Sequence, residues 1–395
     1  MDTDELINTF LDFYRDRAHC RVTGSSLLPP DGSTVLFTTA GMHPLTSYLD
    51  GQPHPLGNRL VGVQRCLRTT DLEEIGDDTH LTVFEMLGSW SLGDYDGEQS
   101  TRWGYELLTD RLGIDPTRLY ATVFGGDDQV GPDIGSQRVW EELGVPVELT
   151  GTENWWSNGP TGPCGPDSEI FAWTGSGPPT GTPTVDGRWV EVWNHVMMGY
   201  RRLDDGSLQP LPRPNVDTGA GLERLAMVLQ GGRSVFDIDV FQPWTRAVGD
   251  RWGLDGRDLR IVCDHVRSAV AIIGDGVRPS NTGRGYVLRR LIRRTLTLLW
   301  HDAELRTLSD LSSELIEGTL THFGQTGVQT VRTVLEDEER RFRTLLQRGR
   351  QLLLRWRVGE QLSDEDYQYL HDTHGLPREL VTVIRNGLQG GAHDG

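Results

Sequence analysis

The spacing of apolar residues changes near residue 240, and this change is the strongest constraint on the fold. Before it, strand-like runs alternate with helical segments and Gly/Pro-rich loops, a mixture typical of α+β proteins. Beyond it the spacing is helical in three long segments, 258–273, 285–300 and 328–357. The 395 residues also exceed the roughly 250 to 300 at which a single core stops growing. We therefore predict an α+β domain at 1–240, a helical domain at 241–386 and a disordered tail at 387–395.

The first part of the chain opens with an amphipathic helix, since Asp2 and Thr3 are capping candidates before apolar residues at helical spacing. Further helices are predicted at 98–111 and 221–230. The strand-like runs are 34–39, 59–68, 81–86, 120–124, 145–149 and 189–201. The second and third of these runs flank a polar loop, which predicts a long antiparallel hairpin.

The charge pattern excludes several kinds of chemistry. All 38 basic residues are arginine, so neither a P-loop lysine nor a Schiff-base lysine is available. The formal charge of -19 weighs against broad, nonspecific nucleic-acid binding, although a local basic face could still bind RNA. Four widely separated cysteines argue against a disulfide framework or zinc knuckle. An acidic N-terminus and the lack of an apolar run near 20 residues predict a cytoplasmic protein without membrane contact.

Two arginine-containing strings are ambiguous when each is considered alone. In 217–224, Asp217 could bind an ammonium and Arg224 a phosphate, but a helix N-terminus with a surface arginine is the simpler interpretation. In 64–68, strand alternation separates Arg68 from Arg65. Arg68 could bind a phosphate or carboxylate, or it could be a solvated strand residue.

The ordered set of strings resembles the N-terminal part of alanyl-tRNA synthetases over nearly the whole chain. Segments similar to the family's motifs 1, 2 and 3 and intervening catalytic strings are 25–29, 36–42, 64–68, 84–88, 91–95, 161–166, 191–194 and 216–224. The similarity continues through 264–268, 279–281, 284–290 and 372–375. The resemblance implies an α+β fold, with a class II synthetase antiparallel sheet flanked by helices, followed by an all-helical tRNA-recognition domain.

The resemblance also implies an ATP site with Mg²⁺ bridging the phosphates. Arg68 matches the arginine that holds the α-phosphate and the substrate carboxylate, Phe84 the aromatic residue that stacks on adenine, and Arg224 the arginine on the distal phosphates. Where the family has Arg-His-His, this sequence retains one histidine, His80. The resemblance places it in the ATP site. Arg68, Asp217 and Arg224 are the predicted catalytic residues, with no protein metal ligands.

An alanine pocket follows from the same resemblance. Its predicted residues are Arg68, Trp156, Asn194, Val196, Asp217 and Gly219. Asp217 would bind the α-ammonium, while Trp156 and Val196 would close the space around a methyl group. Ordinary core packing is the simpler explanation for Trp156 and Val196 outside this context.

In the helical part, Asn281 and Asp372 match residues that read the acceptor-stem G·U pair in the family. A local basic face is predicted from Arg289, Arg290, Arg293 and Arg294. The sequence departs from the family in a shorter motif 2 loop without lysine, at 69–74. It also stops where the family continues into editing and C-terminal domains, which suggests a truncated stand-alone paralogue. The His371 and His374 pair is not taken as a metal site.

Three functions are compatible with these residues. The default is activation of L-alanine with ATP, followed by transfer to tRNA(Ala). The alternative is a stand-alone alanyl ligase that delivers alanine to a small amine or nucleoside-like acceptor. A catalytically silent binding paralogue fits least well, because Arg68, Asp217 and Arg224 are all present.

Overall fold

A single β-sheet organises this computed structural model, which describes residues 1–29, 35–70, 72–300, 306–355, 362–374, 376, 378, 380–382 and 384–385. In these residues the sheet has nine strands: β1 (Cys20–Arg21), β2 (Arg59–Leu67), β3 (Val83–Ser91), β4 (Leu119–Phe124), β5 (Val147–Thr150), β6 (Trp155–Ser157), β7 (Gly162–Trp173), β8 (Trp189–Arg202) and β9 (Leu208–Gly221). The order is β1-β2-β3-β9-β8-β7-β4-β5, with β6 paired to β7. The two outermost pairs are parallel and the others antiparallel. The predicted antiparallel sheet is therefore confirmed for its interior.

The predicted hairpin is confirmed, because β2 and β3 pair antiparallel from Arg59 opposite Ser91 to Leu67 opposite Val83. The strand predicted at 34–39 is wrong for its described part, since 35–39 form no strand. The backbone bonds of Thr38 run to Leu27 at 2.9 Å and to Leu67 at 2.8 Å. The segment thus closes the end of β2 and does not extend the sheet.

The described helices cover the sheet and form the second part of the chain. They are α1 (Thr3–Arg15), α2 (Thr46–Leu49), α3 (Gly97–Glu106), α4 (Ile134–Glu142), α5 (Leu222–Gln230), α6 (Gln242–Trp252), α7 (Gly256–Gly274), α8 (Gly283–Leu299), α9 (Ser313–His322), α10 (Val328–Arg355) and α11 (Asp364–His374). A capping box between Asp2 and Glu5 starts α1. None of the described helices is long and apolar enough to cross a bilayer. The predicted tail at 387–395 lies outside the described residues.

The helical part is joined to the sheet through one apolar core and through buried carboxylates. Asp264 of α7 accepts hydrogen bonds from the Thr82 backbone N–H at 2.8 Å and from the Thr82 hydroxyl at 2.5 Å. Asp275 accepts from the Leu27 N–H at 2.7 Å and pairs with Arg65 at 3.2 Å. Because these contacts and the apolar cluster run across residue 240, the two predicted domains share a core; their boundary stays a prediction.

Candidate active site

Asp217 lies at the centre of one sheet face. It is directly opposite Trp90 of β3 on one side and Val196 of β8 on the other, so the three side chains project from the same face. Trp90 donates its indole N–H to Asp217 Oδ1 at 2.7 Å. Only 7% of Asp217 is exposed.

Asp217 is a buried carboxylate without a cation. Burial raises its pKa to about 7, and the Trp90 hydrogen bond acts in the opposite direction. No basic side chain of the described part of the chain contributes to this pKa. A bound ammonium would supply the missing charge and favour the ionised carboxylate.

Two glycines make room for the side chains beneath this position. Gly88, Gly219 and Asn194 lie opposite one another on β3, β9 and β8. A Cβ at Gly219 would lie 2.5 Å from Met86 Sδ, and a Cβ at Gly88 would lie 2.2 Å from the Trp90 ring. Asn194 Oδ1 is buried and has no hydrogen-bond partner within the described residues. The sheet face therefore combines an apolar floor with a free acceptor.

Trp156 lies against the apolar residues of this sheet face. It lies on β6 opposite Gly165 and packs against a cluster that includes Met42, Trp90 and Val196. The structure thus brings five of the predicted alanine-pocket residues together on neighbouring strands. The sixth, Arg68, lines an adjoining cleft together with Gly219.

That cleft is lined by all four predicted ATP-binding residues, Arg68, His80, Phe84 and Arg224. Arg68 directly follows β2 and is exposed. Its guanidinium carbon lies 5.2 Å from the centroid of the Phe84 ring, and its Nε donates to the Thr39 carbonyl at 3.3 Å. Within the described residues it has no carboxylate partner, so its charge is available to an anionic ligand.

Arg224 is held in place by a carboxylate on the neighbouring strand. Its Nη1 lies 2.9 Å from Glu191 Oε2 and 3.1 Å from the Glu191 carbonyl. Its Nε donates to the Thr79 carbonyl at 3.4 Å. Since Glu191 and Arg224 both line the cleft, a polyanion would compete with Glu191 for the guanidinium.

Further carboxylates lie beside this pair and were missed by the sequence reasoning. Burial and the charge of Glu191 raise the pKa of Glu169 to about 8. Burial raises the pKa of Asp167 to about 7, although the Asn154 amide donates to it at 2.7 Å. Nothing in the local pattern of 167–169 distinguishes these residues from ordinary strand residues. Trp90 could have been found, because period-2 alternation from Phe84 places it on the same strand face.

The predicted acceptor-recognition residues lie on the helical part, and both are exposed. Asn281 precedes α8 and accepts a hydrogen bond from Arg289. Asp372 lies on α11 and accepts from Gln368 at 2.8 Å. The side chains of His371 and His374 lie outside the described residues, and no group of three metal-ligating side chains occurs in the described part.

The predicted basic face is wrong, because its four arginines form ion pairs or hydrogen bonds with carboxylates and a backbone carbonyl of the protein itself. Arg289 and Arg293 both bind Glu338, at 3.1 and 2.8 Å, and are only 15% and 24% exposed. Arg290 pairs with Glu73 at 2.7 Å. Arg294 donates to a loop carbonyl at 2.6 Å. These four side chains connect parts of the protein to one another and do not form a free cationic surface.

Comparison with known proteins agrees with this arrangement. The family model described as tRNA synthetases class II (A) matches residues 5–389, so the fold is that of a class II synthetase. Alanine–tRNA ligase of Treponema pallidum is 43% identical over 413 positions, which cover 96% of this chain and 68% of that protein. The chain belongs to the alanine–tRNA ligase family.

Other relatives are longer than the matched region. Alanine–tRNA ligase of Treponema denticola is 47% identical over 313 positions, covering 74% of this chain and 52% of that protein. The Rubrobacter xylanophilus enzyme is 40% identical over 415 positions, covering 97% of this chain and 47% of that protein. The chain thus spans about half to two thirds of the relatives' lengths.

Proposed function

We propose that this chain activates L-alanine with ATP, giving alanyl-adenylate and pyrophosphate, and then transfers the alanyl group to tRNA(Ala). The observation that carries the proposal is the position of Asp217. This carboxylate is buried, with no cationic partner among the described residues, and it lies two residues from Gly219, which lines the cleft that holds Arg68 and Arg224. An ammonium site and a phosphate site therefore adjoin each other.

The pocket residues suit a small amino acid. Asp217 binds the α-ammonium, and the free Oδ1 of Asn194 accepts a second hydrogen bond from it. Trp156 and Val196, which belong to one apolar cluster, would contact the methyl group. Arg68 binds the α-carboxylate from the cleft side, which directs a carboxylate oxygen toward the nucleotide.

The cleft residues support adenylation without a protein nucleophile. The alanine carboxylate attacks the α-phosphorus, the bond to the β-phosphate oxygen breaks, and pyrophosphate leaves. Arg68 offsets the charge that develops at the α-phosphate, and Phe84 stacks on adenine. Arg224 binds the distal phosphates after they replace Glu191 as its partner. His80 lines the same cleft, and the nucleotide would replace the exposed Glu74 carboxylate, 3.2 Å from one ring nitrogen, as the acceptor of a ring N–H.

The acidic residues next to Arg224 fit a divalent cation. Magnesium is commonly held by one or two carboxylates together with phosphate oxygens. Glu191 lines the cleft and Glu169 lies on β7, the strand paired to β8, so these two carboxylates would hold Mg²⁺ here, in contrast to the prediction of no protein metal ligands. Burial, together with the charge of Glu191, raises the pKa of Glu169 to about 8, and a nearby cation would favour its ionised form. When bound, Mg²⁺ neutralises phosphate charge during displacement.

Transfer to tRNA is the second part of the proposal, and membership of the alanine–tRNA ligase family supports it. A ribose hydroxyl at the tRNA 3′ end attacks the alanyl carbonyl, and AMP leaves. Asn281 and Asp372 are exposed on the helical part and are proposed to contact the acceptor stem. No observation favours a small-molecule acceptor.

Pyrophosphate exchange with purified protein, ATP and alanine tests the first step, and charging of tRNA(Ala) tests the second. We expect both activities in the wild type. Asp217→Ala should abolish alanine-dependent exchange, because truncating one partner of a buried charge pair typically costs about 2 to 5 kcal/mol. Asp204→Ala, in the exposed β8–β9 hairpin, is the matched control. Exchange by Asp217→Ala within about threefold of the wild type at low alanine would contradict the assignment, and exchange without charging would contradict the second step.

A further inference from the structure

The loop at 72–78 joins the two strands of the catalytic hairpin, yet it is anchored in the helical part. Leu72 and Ile75 are 4% and 1% exposed. Gly76 has a φ of +105°, and a Cβ at this position would lie 2.7 Å from Arg257 Cγ and 2.9 Å from Ile261 Cγ1. The loop is therefore in close contact with α7, in a backbone conformation that glycine adopts without strain.

Three arginines of α7 and α8 bind the first half of this loop. Arg257 donates to the Glu73 carbonyl at 2.8 Å, and Arg294 donates to the Leu72 carbonyl at 2.6 Å. Arg290 pairs with the Glu73 carboxylate at 2.7 Å, but 75% of the Glu73 side chain is exposed. Solvent screens such an exposed pair, so the carbonyl contacts are the stronger part of the anchorage.

A fourth arginine leads from the helical part to the cleft. Arg260 pairs with Asp78 at 2.7 Å and donates to the Asp77 carbonyl at 3.2 Å. The Asp77 carboxylate in turn binds the His80 ring at 2.5 Å and accepts the His80 backbone N–H at 2.9 Å. Glu74 lies 3.2 Å from the other ring nitrogen of His80. Movement of the loop would therefore move His80 in the cleft.

We propose that Arg260 and Arg294 are positioning residues for ATP, which hold the 72–78 loop on the helical part and so fix His80 at the cleft. The inference rests on the proposed function for the identity of the nucleotide. On this inference the nucleotide site depends on α7 and α8, which carry the two arginines. The 72–78 loop itself contains no lysine. Neither arginine is among the residues that line the cleft.

The first test is direct ATP binding, measured by calorimetry without alanine. Arg294→Met and Arg260→Met should each weaken ATP binding about tenfold, since each removes charged hydrogen bonds to the loop. Arg260→Lys should lie between the wild type and Arg260→Met, because it retains the charge opposite Asp78 but not the planar fork. In pyrophosphate exchange at saturating ATP, the KM for alanine should change less than about twofold.

Arg332→Met is the matched control. Arg332 donates to the Leu311 carbonyl at 2.5 Å, a contact that lies wholly within the helical part. It should bind ATP like the wild type, even if its melting temperature falls. A second measurement follows cleavage by a glutamyl endopeptidase at Glu73 and Glu74. Arg294→Met should be cut faster than Arg332→Met, and added ATP should slow the cleavage.

Two results would overturn the inference while leaving the proposed function in place. In the first, the wild type exchanges pyrophosphate, and the Arg260→Met and Arg294→Met variants bind ATP as tightly as the wild type does. The other is weaker ATP binding that appears equally in Arg332→Met, because this would reflect general destabilisation. Failure of the wild type to bind ATP would instead contradict the proposed function.

Discussion

Asp217→Asn should stabilise the folded protein above pH 7 and at the same time abolish alanine activation. Burial raises the pKa of Asp217 from an ordinary 3.8 to about 7. At about 1.4 kcal/mol per pH unit, ionising this group costs the folded state about 4 kcal/mol. Asparagine has a similar volume and retains an Oδ1 that can accept the Trp90 hydrogen bond.

The sign of the effect follows from the raised pKa. Because the folded state retains the proton to higher pH than the unfolded state, stability from protonated Asp217 is fully present below about pH 4 and is lost as pH rises through about 7. The variant should therefore match the wild type near pH 4. At pH 8 its free energy of unfolding should be higher by about 1 to 4 kcal/mol, the upper figure being the full ionisation cost.

Urea denaturation of both proteins at pH 5 and pH 8 measures this difference. Asp204→Asn, at an exposed position, should show no comparable dependence on pH. The wild-type KM for alanine should rise as pH falls below 7, since the ammonium binds the ionised carboxylate. A stability difference between Asp217→Asn and wild type that is equal at the two pH values would refute the reasoning. So would a variant that is less stable at pH 8.

Four further substitutions test the cleft, the pocket and the helical part. Arg68→Lys should lower exchange at least about tenfold, because an ammonium cannot reproduce a bidentate fork; retained turnover would make Arg68 a structural residue only. Gly219→Ala should raise the KM for alanine about tenfold, since its Cβ would lie 2.5 Å from a methionine sulfur, whereas Gly199→Ala, with no neighbour closer than 3.9 Å, should not. Asn281→Ala and Asp372→Ala should each lower tRNA charging more strongly than exchange, and equal losses in the two assays would contradict an acceptor role.

Patterns of short sequence range predicted much of the secondary structure. Strand-like runs identified β2, β3 and β8, and helical spacing identified α7, α8 and α10, because these patterns arise from each element's own geometry. The strand prediction for 35–39 was wrong for the opposite reason. Its backbone partners are Leu27 and Leu67, so its conformation is determined by the end of the hairpin and not by its own residues.

In the candidate site, too, the residues could be predicted from short strings, whereas contacts between distant parts of the chain could not. The ordered strings placed Arg68, His80, Phe84 and Arg224, and the structure brings all four to one cleft. The Trp90 hydrogen bond to Asp217 joins residues 127 positions apart, and its geometry depends on strand order, which the sequence does not display. The basic face was mispredicted because Glu338 lies 45 positions beyond Arg293.

The cations that line the cleft, Arg68 and Arg224, are guanidinium groups, and no side chain in the sequence is a primary amine. An aminoacyl adenylate is a mixed anhydride that acylates free amines, whereas a guanidinium stays protonated and is a poor nucleophile. On the proposed function, an alanyl-adenylate that escapes before transfer meets no lysine on this protein. A lysine-free chain therefore cannot be acylated on side-chain amines by its own intermediate.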